Sequence, residues 1–411
     1  MRGTISKYTL SNIYYLLVLL MLAISSYITM PDTDNTADIG TGLSALVMAG
    51  LAIIQIPLLF HIFRERVKGV VKMPRFVVLY GVYICWMTAI TLSMDSAHNI
   101  KGLIVVSMTL FVFIFMLITS YYRSRYSELN IWFFMGVLFV LGCITLQYFN
   151  IYSLANQVGT DKSHIAVSYF PLFILPVLLL PSSRLVRYAS IAITSIIIIS
   201  SIKRGGVIAL GISLMAYAFV KQWVSGRSMM KQWIYISIVL LLIGGVIYIL
   251  SQQEDNNVIE RILNISEDGG SDRDVLWEDT YNNIQDRDFV SRIIGNGYRS
   301  SQKASKYFLM SHNDILEIWY DFGGVGIILY GIAFISLSLY FMRLLKRKSK
   351  YTPHLAMTLT FYIILSMIST VILYFWMTLF MFTVGIIAGL ADRELEESEE
   401  QKHTLSNSKN S

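Results

Sequence analysis

Residues 191–220 read IAITSIIIIS, SIKRGG and VIALGISLMAYAFV, which are two apolar runs separated by a turn that carries Lys203 and Arg204. An α-helix needs about 20 mainly apolar residues to cross the hydrocarbon core of a bilayer. Each run approaches that length once its flanking residues are added, and the charges lie between the runs. The stretch therefore predicts two membrane-spanning helices joined by a short, basic turn.

The same pattern extends over the whole chain. Of the 411 residues, 55% are hydrophobic and 15% are charged, whereas a soluble domain has about 25% charged residues. The sequence therefore predicts an all-α polytopic membrane protein with about 12 transmembrane helices. The last apolar run is too long for one crossing, so we fold it as a hairpin near Thr370 to Tyr374. The predicted spans are residues 9–29, 43–63, 76–94, 102–121, 130–149, 165–181, 185–202, 206–223, 232–250, 323–342, 353–371 and 373–391.

These spans divide the chain into four segments. Residues 1–250 hold spans one to nine, and residues 251–322 form one large extracytoplasmic loop that contains short helices. Residues 323–391 hold spans ten to twelve. Residues 392–411 begin with DRELEESEEQ, and this dense run of charge predicts a disordered cytoplasmic tail.

Basic residues set the orientation, because Lys and Arg are enriched in cytoplasmic loops. With both termini in the cytoplasm, the short inner loops carry most of these residues and the short outer loops carry few. SIKRGG is an exception, since its two cations lie on the outer side. Two interpretations stay open: a surface turn whose side chains reach lipid phosphates, or an anion site beside two glycines that let a ligand approach the backbone.

A second notable stretch, residues 311–331, reads SHNDILEIWYDFGGVGIILYG. Ser311 and Asp314 have the spacing of a capping box, which predicts a helix start with His312 in the first turn. The helix dipole there favours a neutral imidazole and a nearby anion, and a neutral imidazole can accept a proton at physiological pH. The alternative is that His312 is an ordinary polar residue at a helix start. Gly323 and the glycines after it mark the junction between this loop helix and the next span.

Three motifs together resemble those of the O-antigen ligase and polymerase family, the membrane enzymes of surface polysaccharide assembly. SIKRGGVIAL at residues 201–210 resembles the family's Ser-x-x-Arg-Gly stretch, which opens a membrane helix. SDRDVLWEDTYNNI at 271–284 and IIGNGYRS at 293–300 resemble its Arg-x-x-x-Trp segment and the Gly-x-Gly turn that follows. Residues 311–331 resemble its His-Asn-Asp helix. The order of the motifs and the long loop between spans nine and ten also fit the family.

The resemblance implies a metal-independent glycosyltransferase in the bacterial inner membrane, with its active face on the extracytoplasmic side. Its donor would be an undecaprenyl-diphosphate-linked oligosaccharide, and it would need no cofactor. The motif positions carry over to Arg204, Arg273 and His312 as the catalytic set. In one departure from the family, Lys203 stands where a Ser or Thr often precedes the motif arginine.

The chemistry requires an acceptor hydroxyl to attack the anomeric carbon while a lipid diphosphate leaves with increasing charge. Arginine suits the leaving group because its planar fork binds phosphate oxygens in pairs and stays protonated. We therefore assign the diphosphate to Arg204 and Arg273, with Lys203 and Arg299 as weaker binding candidates.

The acceptor hydroxyl must also lose a proton, and His312 is the predicted base. A contact with the diphosphate is its alternative role. Asp314 and Glu317 are alternative bases, since a carboxylate near the bilayer can have a raised pKa.

The favoured function is an O-antigen or capsule-type polymerase, which moves the glycan onto a lipid-linked repeat unit in lipopolysaccharide or related biosynthesis. One alternative is a ligase that moves the glycan to the lipid A core or another acceptor, and a less favoured one is a transporter of the same lipid-linked sugar. The expected partners are the lipid-linked oligosaccharide, membrane lipid and a regulator of chain length. No basic run interleaved with aromatic residues indicates nucleic-acid binding.

Overall fold

The computed structural model describes residues 15–27, 43–69, 72–94, 100–158, 166–181, 183–201, 203–226, 237, 269–372 and 375–410. These residues are mainly helical and include no strand. The predicted ninth span at 232–250, apart from residue 237, the loop residues 251–268 and the acidic loop after the first span lie outside the described residues. The helices are α1 (Tyr15–Tyr27), α2 (Leu43–Val67), α3 (Arg75–Met94), α4 (Ile100–Tyr126), α5 (Ile131–Val158), α6 (Phe170–Leu178, preceded by a 3-10 turn at Ala166–Tyr169), α7 (Arg184–Ser200), α8 (Arg204–Ser225), α9 (Gly269–Gln285), α10 (Phe289–Ile294), α11 (Ser300–Ala304), α12 (Asp314–Arg347), α13 (Thr352–Ile368) and α14 (Phe375–Asn410).

Seven of the described helices are long and apolar enough to cross a membrane, namely α2, α3, α4, α5, α8, α12 and α14. Three shorter apolar stretches, at α1, α6 and α13, coincide with further predicted spans. The protein is therefore an all-helical, membrane-integral chain, as the sequence predicted. The total of about 12 spans stays a prediction.

The last apolar run is divided where the sequence predicted. α13 ends at Ile368, and Ser369 is extended with φ −156° and ψ 164°, which stops the helix. α14 then begins at Phe375. Its apolar part is almost wholly buried in the bundle, so α14 forms the centre of the core.

The closest packing in the bundle joins α14 to α4. A Cβ atom on Gly385 would lie 2.7 Å from the Leu117 carbonyl oxygen, and one on Gly389 would collide with the Tyr121 carbonyl oxygen. Small residues at such an interface let two helix backbones approach each other within a membrane. Residue numbers increase together along this contact, so the two helices run in the same direction. The predicted topology requires that direction for spans four and twelve.

One end of the bundle, here called the inner end, gathers residues predicted to be cytoplasmic. Arg125 donates a hydrogen bond to the Lys72 carbonyl at 2.7 Å and pairs with Asp392 at 3.7 Å and with Glu396. The Tyr340 hydroxyl donates to the other oxygen of Asp392 at 2.9 Å. These contacts bind the ends of α3, α4, α12 and α14 together.

The tail that the sequence predicted to be disordered is helical, because α14 continues from the core to Asn410. Its carboxylates meet cations of the inner end, as in the Arg125–Glu396 and Arg347–Glu399 pairs. Arg393 also pairs with Glu397 one turn later, at 2.8 Å. Partners of opposite charge, both distant in the sequence and one turn away, thus stabilise a segment whose composition alone favours disorder.

The opposite end, here called the outer end, holds the described part of the large loop. α3 connects the two ends: it begins three residues after Lys72 and ends at Met94, which lies against Gly297 of the loop. The Tyr298 N–H also donates to the Thr91 hydroxyl at 3.2 Å. The loop is therefore packed directly against the helix bundle.

Candidate active site

A break in α12 at Gly323 connects the second and third motifs. Gly323 has φ 69° and ψ −174°, so it is not helical, and a Cβ atom there would collide with the Ile293 carbonyl oxygen. On the opposing segment of the loop, Gly295 has φ 89°, and a Cβ atom there would lie 2.5 Å from the Phe322 Cα atom. The two glycines let the backbones touch, and positive φ favours glycine at both positions. The predicted junction between the loop helix and the next span therefore lies at Gly323.

The same junction is joined to the membrane helices. The Trp86 indole N–H, on α3, donates to the Phe322 carbonyl at 3.0 Å. A helix break leaves such a carbonyl without its intrahelical partner, and a buried carbonyl needs another donor. Trp86 supplies that donor and holds the junction against α3.

Asp321 organises the turn that follows the Gly-x-Gly motif. Its carboxylate accepts hydrogen bonds from the Arg299 N–H at 2.7 Å, the Ser301 N–H at 2.8 Å and the Ser300 hydroxyl at 2.9 Å. Its carbonyl oxygen accepts from the N–H of Gly297 at 2.8 Å. The side chain is fully buried. Sequence reasoning missed Asp321, although its spacing from Asp314 and Glu317 places all three on one face of a helix.

Asp314 and Glu317, the alternative bases, are buried in the same way. Glu317 accepts hydrogen bonds from the Ser301 hydroxyl and the Ser311 N–H. Asp314 accepts from the N–H groups of Val371 and Ile372. The oxygens of both carboxylates therefore have donors within the fold, and a role as base stays a prediction for each.

The helix that follows His312 begins later than the capping box implied. Asn313 is the N-cap: its side-chain oxygen accepts hydrogen bonds from the N–H groups of Ile315 at 3.0 Å and Leu316 at 3.3 Å. The prediction that Ser311 caps the helix is wrong, since its hydroxyl instead accepts from the Asn313 N–H at 3.3 Å. Asn caps helices as well as Ser does, and here it lies closer to the first free N–H groups.

His312 therefore lies just before the helix and not in its first turn. Its backbone is left-handed, with φ 54°, and its side chain is partly buried. A left-handed conformation is uncommon for a residue other than glycine and marks positions that the surrounding structure enforces. The helix N-terminus still follows directly, and the favourable effect of its dipole on a nearby anion stays a prediction.

The first motif opens α8, with Lys203 at the N-cap position and Arg204 as the first helical residue. The Lys203 ammonium lies 4.7 Å from the centroid of the Tyr169 ring. The side chain of Arg204 lies outside what the structure describes. Its predicted role is therefore untested.

The two glycines of SIKRGG are explained by packing. A Cβ atom on Gly205 would collide with the Ile368 side chain, and one on Gly206 would lie 3.0 Å from the Tyr169 ring. The close approach that these glycines permit is thus made by α13 and by the turn before α6. Access of a ligand to the backbone at these glycines stays a prediction.

Arg273, from the second motif, is partly buried on α9, and it is near enough for its charge to act on the Tyr169 hydroxyl. Tyr169 also packs edge-on against Trp376 at the start of α14, with ring centroids 5.3 Å apart. Trp376 follows, by four residues, the Ile372 N–H that binds Asp314 of the third motif. All three motifs thus approach a common region around Tyr169 and Trp376, which sequence reasoning did not identify.

Arg299, the second weaker candidate, has a different location. It is 7% exposed, has a left-handed backbone with φ 57°, and its charge acts on the buried Glu317. Its guanidinium carbon lies 5.8 Å from the Tyr298 ring centroid. These contacts assign Arg299 to the packing of the loop beside α12. Diphosphate binding by Arg299 stays a prediction.

Within the described ranges, no group of three or more His, Cys, Asp or Glu side chains is arranged to hold a metal ion. Asp314, Glu317 and Asp321 lie on one helix face, but each binds donors of a different chain segment.

Comparison with known proteins agrees with the motifs. Residues 189–331 match a protein-family model described as O-antigen ligase. A search of curated proteins finds no match. The matched segment runs from α7 past the break at Gly323 and contains all three motifs, and the family indicates a glycosyl-transferring enzyme. The prediction made from the motifs is confirmed at the level of the domain: residues 189–331 of this membrane-integral chain match the O-antigen ligase model, which supports the O-antigen ligase and polymerase family.

Proposed function

We propose that this protein is a metal-independent polymerase of an O-antigen or capsule-type polysaccharide. It would transfer the growing glycan from undecaprenyl diphosphate to a lipid-linked repeat unit on the outer face of the inner membrane. One observation supports the proposal: Lys203 lies 4.7 Å from the Tyr169 ring centroid, and Arg273, from a motif about 70 residues further along the sequence, is near enough for its charge to act on the same tyrosine. Two cations near one tyrosine suit a diphosphate leaving group.

The leaving diphosphate gains negative charge as the glycosidic bond breaks. Cations held in place before the reaction stabilise that charge, and the loss of one such donor costs on the order of 100-fold in rate. Arg273 and Arg204 supply guanidinium forks in this proposal. Lys203 supplies a further positive charge close to the same ring.

The acceptor hydroxyl attacks the anomeric carbon and releases its proton. His312 takes that proton in this proposal, because an imidazole titrates near neutral pH and the helix N-terminus beside it disfavours prior protonation. Contact with the diphosphate is its second candidate role. In both roles His312 acts at the outer end of the bundle, where Asp314 joins the third motif to the start of α14.

A ligase is the second candidate function, since the matching family model is described as O-antigen ligase. Donor and leaving group are the same for both reactions, so the motif residues serve either one. Gel analysis of a deletion strain separates them. Loss of a polymerase leaves cores capped with one repeat unit, whereas loss of a ligase leaves bare cores.

The direct test uses purified full-length protein in proteoliposomes with purified lipid-linked repeat units. The proposal expects a ladder of longer lipid-linked glycans in the presence of a metal chelator. Transfer to lipid A core without elongation would instead support the ligase. Movement of labelled lipid across the vesicle membrane without any glycosyl transfer would support the transporter and overturn the proposal.

A further inference from the structure

Asp314 connects the turn that carries His312 to a distant part of the chain. Its Oδ1 atom accepts hydrogen bonds from the Val371 N–H at 2.7 Å and from the Ile372 N–H at 3.1 Å. Both donors belong to the segment between α13 and α14, 57 and 58 residues further along the chain. Only 1% of Asp314 is exposed. The contact is therefore made inside the protein and not at a wet surface.

These two N–H groups have a particular need for an acceptor. Val371 and Ile372 lie between two helices and are fully buried. A buried N–H without an acceptor is strongly disfavoured, and Asp314 supplies one acceptor for both donors. The second carboxylate oxygen, Oδ2, accepts from the Tyr362 hydroxyl at 3.3 Å, and that hydroxyl accepts from the Tyr330 hydroxyl at 2.8 Å. The carboxylate is thus held on both oxygens.

The backbone on the other side of His312 is held as well. The Ser311 N–H donates to Glu317, and the Asn313 N–H donates to the Ser311 hydroxyl oxygen at 3.3 Å. Both neighbours of His312 are buried, while His312 itself is partly exposed in a left-handed conformation. The surrounding bonds therefore determine the position of the imidazole, since an isolated chain would rarely adopt this conformation.

The segment held by Asp314 leads directly to the aromatic pair of the site. Trp376 lies four residues after Ile372 and packs on Tyr169. Tyr169 in turn contacts Lys203 and is influenced by the charge of Arg273. We infer that Asp314 is a positioning residue, which fixes His312 relative to the start of α14 and thereby relative to the two cations. This inference rests on the proposed function, in which His312 and these cations act on one donor.

The first experiment measures chain extension by full-length protein in proteoliposomes with lipid-linked repeat units. Asp314→Ala removes the acceptor and should lower kcat on the order of 100-fold, because small displacements of a catalytic group can have that effect. Asp314→Asn retains a side-chain oxygen that can accept from both N–H groups, so it should recover most of the activity. Asp392→Asn is the matched control, since it changes a carboxylate at the inner end that accepts from Tyr121 and Tyr340.

A double-mutant cycle separates positioning from general destabilisation. If Asp314 acts through His312, the variant His312→Ala/Asp314→Ala should be no slower than His312→Ala alone. Equal activity of Asp314→Ala and wild type, or fully additive losses in the double variant, would overturn the inference.

The second experiment does not depend on the substrate. Hydrogen–deuterium exchange at C2 of each imidazole, read by mass spectrometry, reports the surroundings of individual histidines. Asp314→Ala should change the exchange rate of His312. The rate of His61 should stay unchanged, because His61 is distant from Asp314 in the sequence and contacts the Tyr122 hydroxyl. Where the alanine variant fails to fold, Asp314→Ser takes its place, because the serine side chain is one bond shorter than that of aspartate. Asp314→Ser should alter the exchange rate of His312, whereas Asp314→Asn and Asp392→Asn should leave it unchanged.

The two experiments distinguish the two proposals. A wild-type protein that is inactive on every lipid-linked repeat would defeat the proposed function. The exchange rate of His312 would still test the positioning role of Asp314. An unchanged rate at His312 in folded Asp314→Ala, or in Asp314→Ser where only that variant folds, would defeat the positioning role even if chain extension is observed.

Discussion

The two ends of the helix bundle use carboxylates in different ways. At the inner end, Asp392 and Glu396 meet Arg125, so opposite charges hold the ends of the helices together. At the outer end, Asp314 and Asp321 accept mainly from backbone N–H groups and hydroxyls of loops. The inner carboxylates thus join helices, whereas the outer ones shape the turns around the candidate active site. Substitutions at the two ends should therefore have different consequences.

The largest effect is expected for His312→Ala. Loss of a general base lowers turnover by about 100- to 10,000-fold, so chain extension in proteoliposomes should nearly vanish. The amount of protein in the membrane should stay at the wild-type level, because the His312 side chain is only partly buried. Full activity of this variant would remove His312 from the mechanism. The control Asp392→Asn should keep the wild-type turnover per folded molecule.

Arg273→Ala comes next, with an expected loss on the order of 100-fold in kcat. Arg273→Lys should recover only part of that loss, because an ammonium lacks the planar fork of a guanidinium. Lys203→Ala should have a smaller effect in the same assay, since Lys203 is the additional cation. An Arg273→Ala variant as active as wild type would show that Arg273, and with it the region around Tyr169, does not take part in catalysis.

Gly323→Ala tests the backbone contact at the outer end. The new Cβ would collide with the Ile293 carbonyl at a positive φ, so we expect a destabilisation of about 3 kcal/mol. Gly331→Ala is the matched control on the same helix, because a Cβ there meets nothing within 4 Å. Thermal unfolding in detergent should show a clear drop in Tm for the first variant and little change for the second. Equal Tm values would contradict the close contact.

Arg125→Ala tests the inner end. It removes the hydrogen bond to the Lys72 carbonyl and the pairing with two carboxylates, and we expect a loss of about 2 kcal/mol. Because the substitution lies at the end away from the candidate site, kcat per folded molecule should not change. A variant that folds normally but extends chains slowly would show that the two ends are not independent.

The smallest effect concerns Asp288, the exposed N-cap of α10. Hydrogen bonds from the Ser291 hydroxyl and N–H and from the Val290 N–H lower the pKa of Asp288 below its ordinary value of 3.8. A lowered pKa in the folded state adds stability above the ordinary pKa, and this is lost as the pH falls through the folded value. Asp288→Asn keeps the cap without titration, so its Tm should fall less than that of wild type below about pH 4. Identical pH profiles would contradict the contribution of Asp288.

Much of this fold could be predicted from the sequence because long apolar runs have few alternatives to membrane helices. The division of the last run and the junction at Gly323 were predicted for the same reason, since glycine and chain length restrict the backbone strongly. The helix start at Asn313 was not, because Ser, Asn and Asp cap helices almost equally well and only the folded chain selects among them. The helical tail was missed since its partners, such as Arg125, lie far away in the sequence.

The site was predicted only in part. Motif order predicts Arg204, Arg273 and His312, whose side chains suit the chemistry and whose roles stay predictions. Tyr169 and Trp376, the aromatic residues between the motifs, gave no signal because aromatic residues are common throughout membrane proteins. Asp321 was overlooked for a similar reason. It binds backbone N–H groups, and because every residue except proline has such a group, the sequence does not indicate which ones are its partners.

The hydrogen bond from Trp86 to the Phe322 carbonyl places the C-terminal end of the loop helix below the outer end of α3. Trp86 precedes the last residue of α3, Met94, by eight positions, which corresponds to about 12 Å along a helix axis. The C-terminal end of the loop helix is thus attached between the helices of the bundle, below the outer end of α3. A movement of α3 would therefore displace the junction at Gly323 with it.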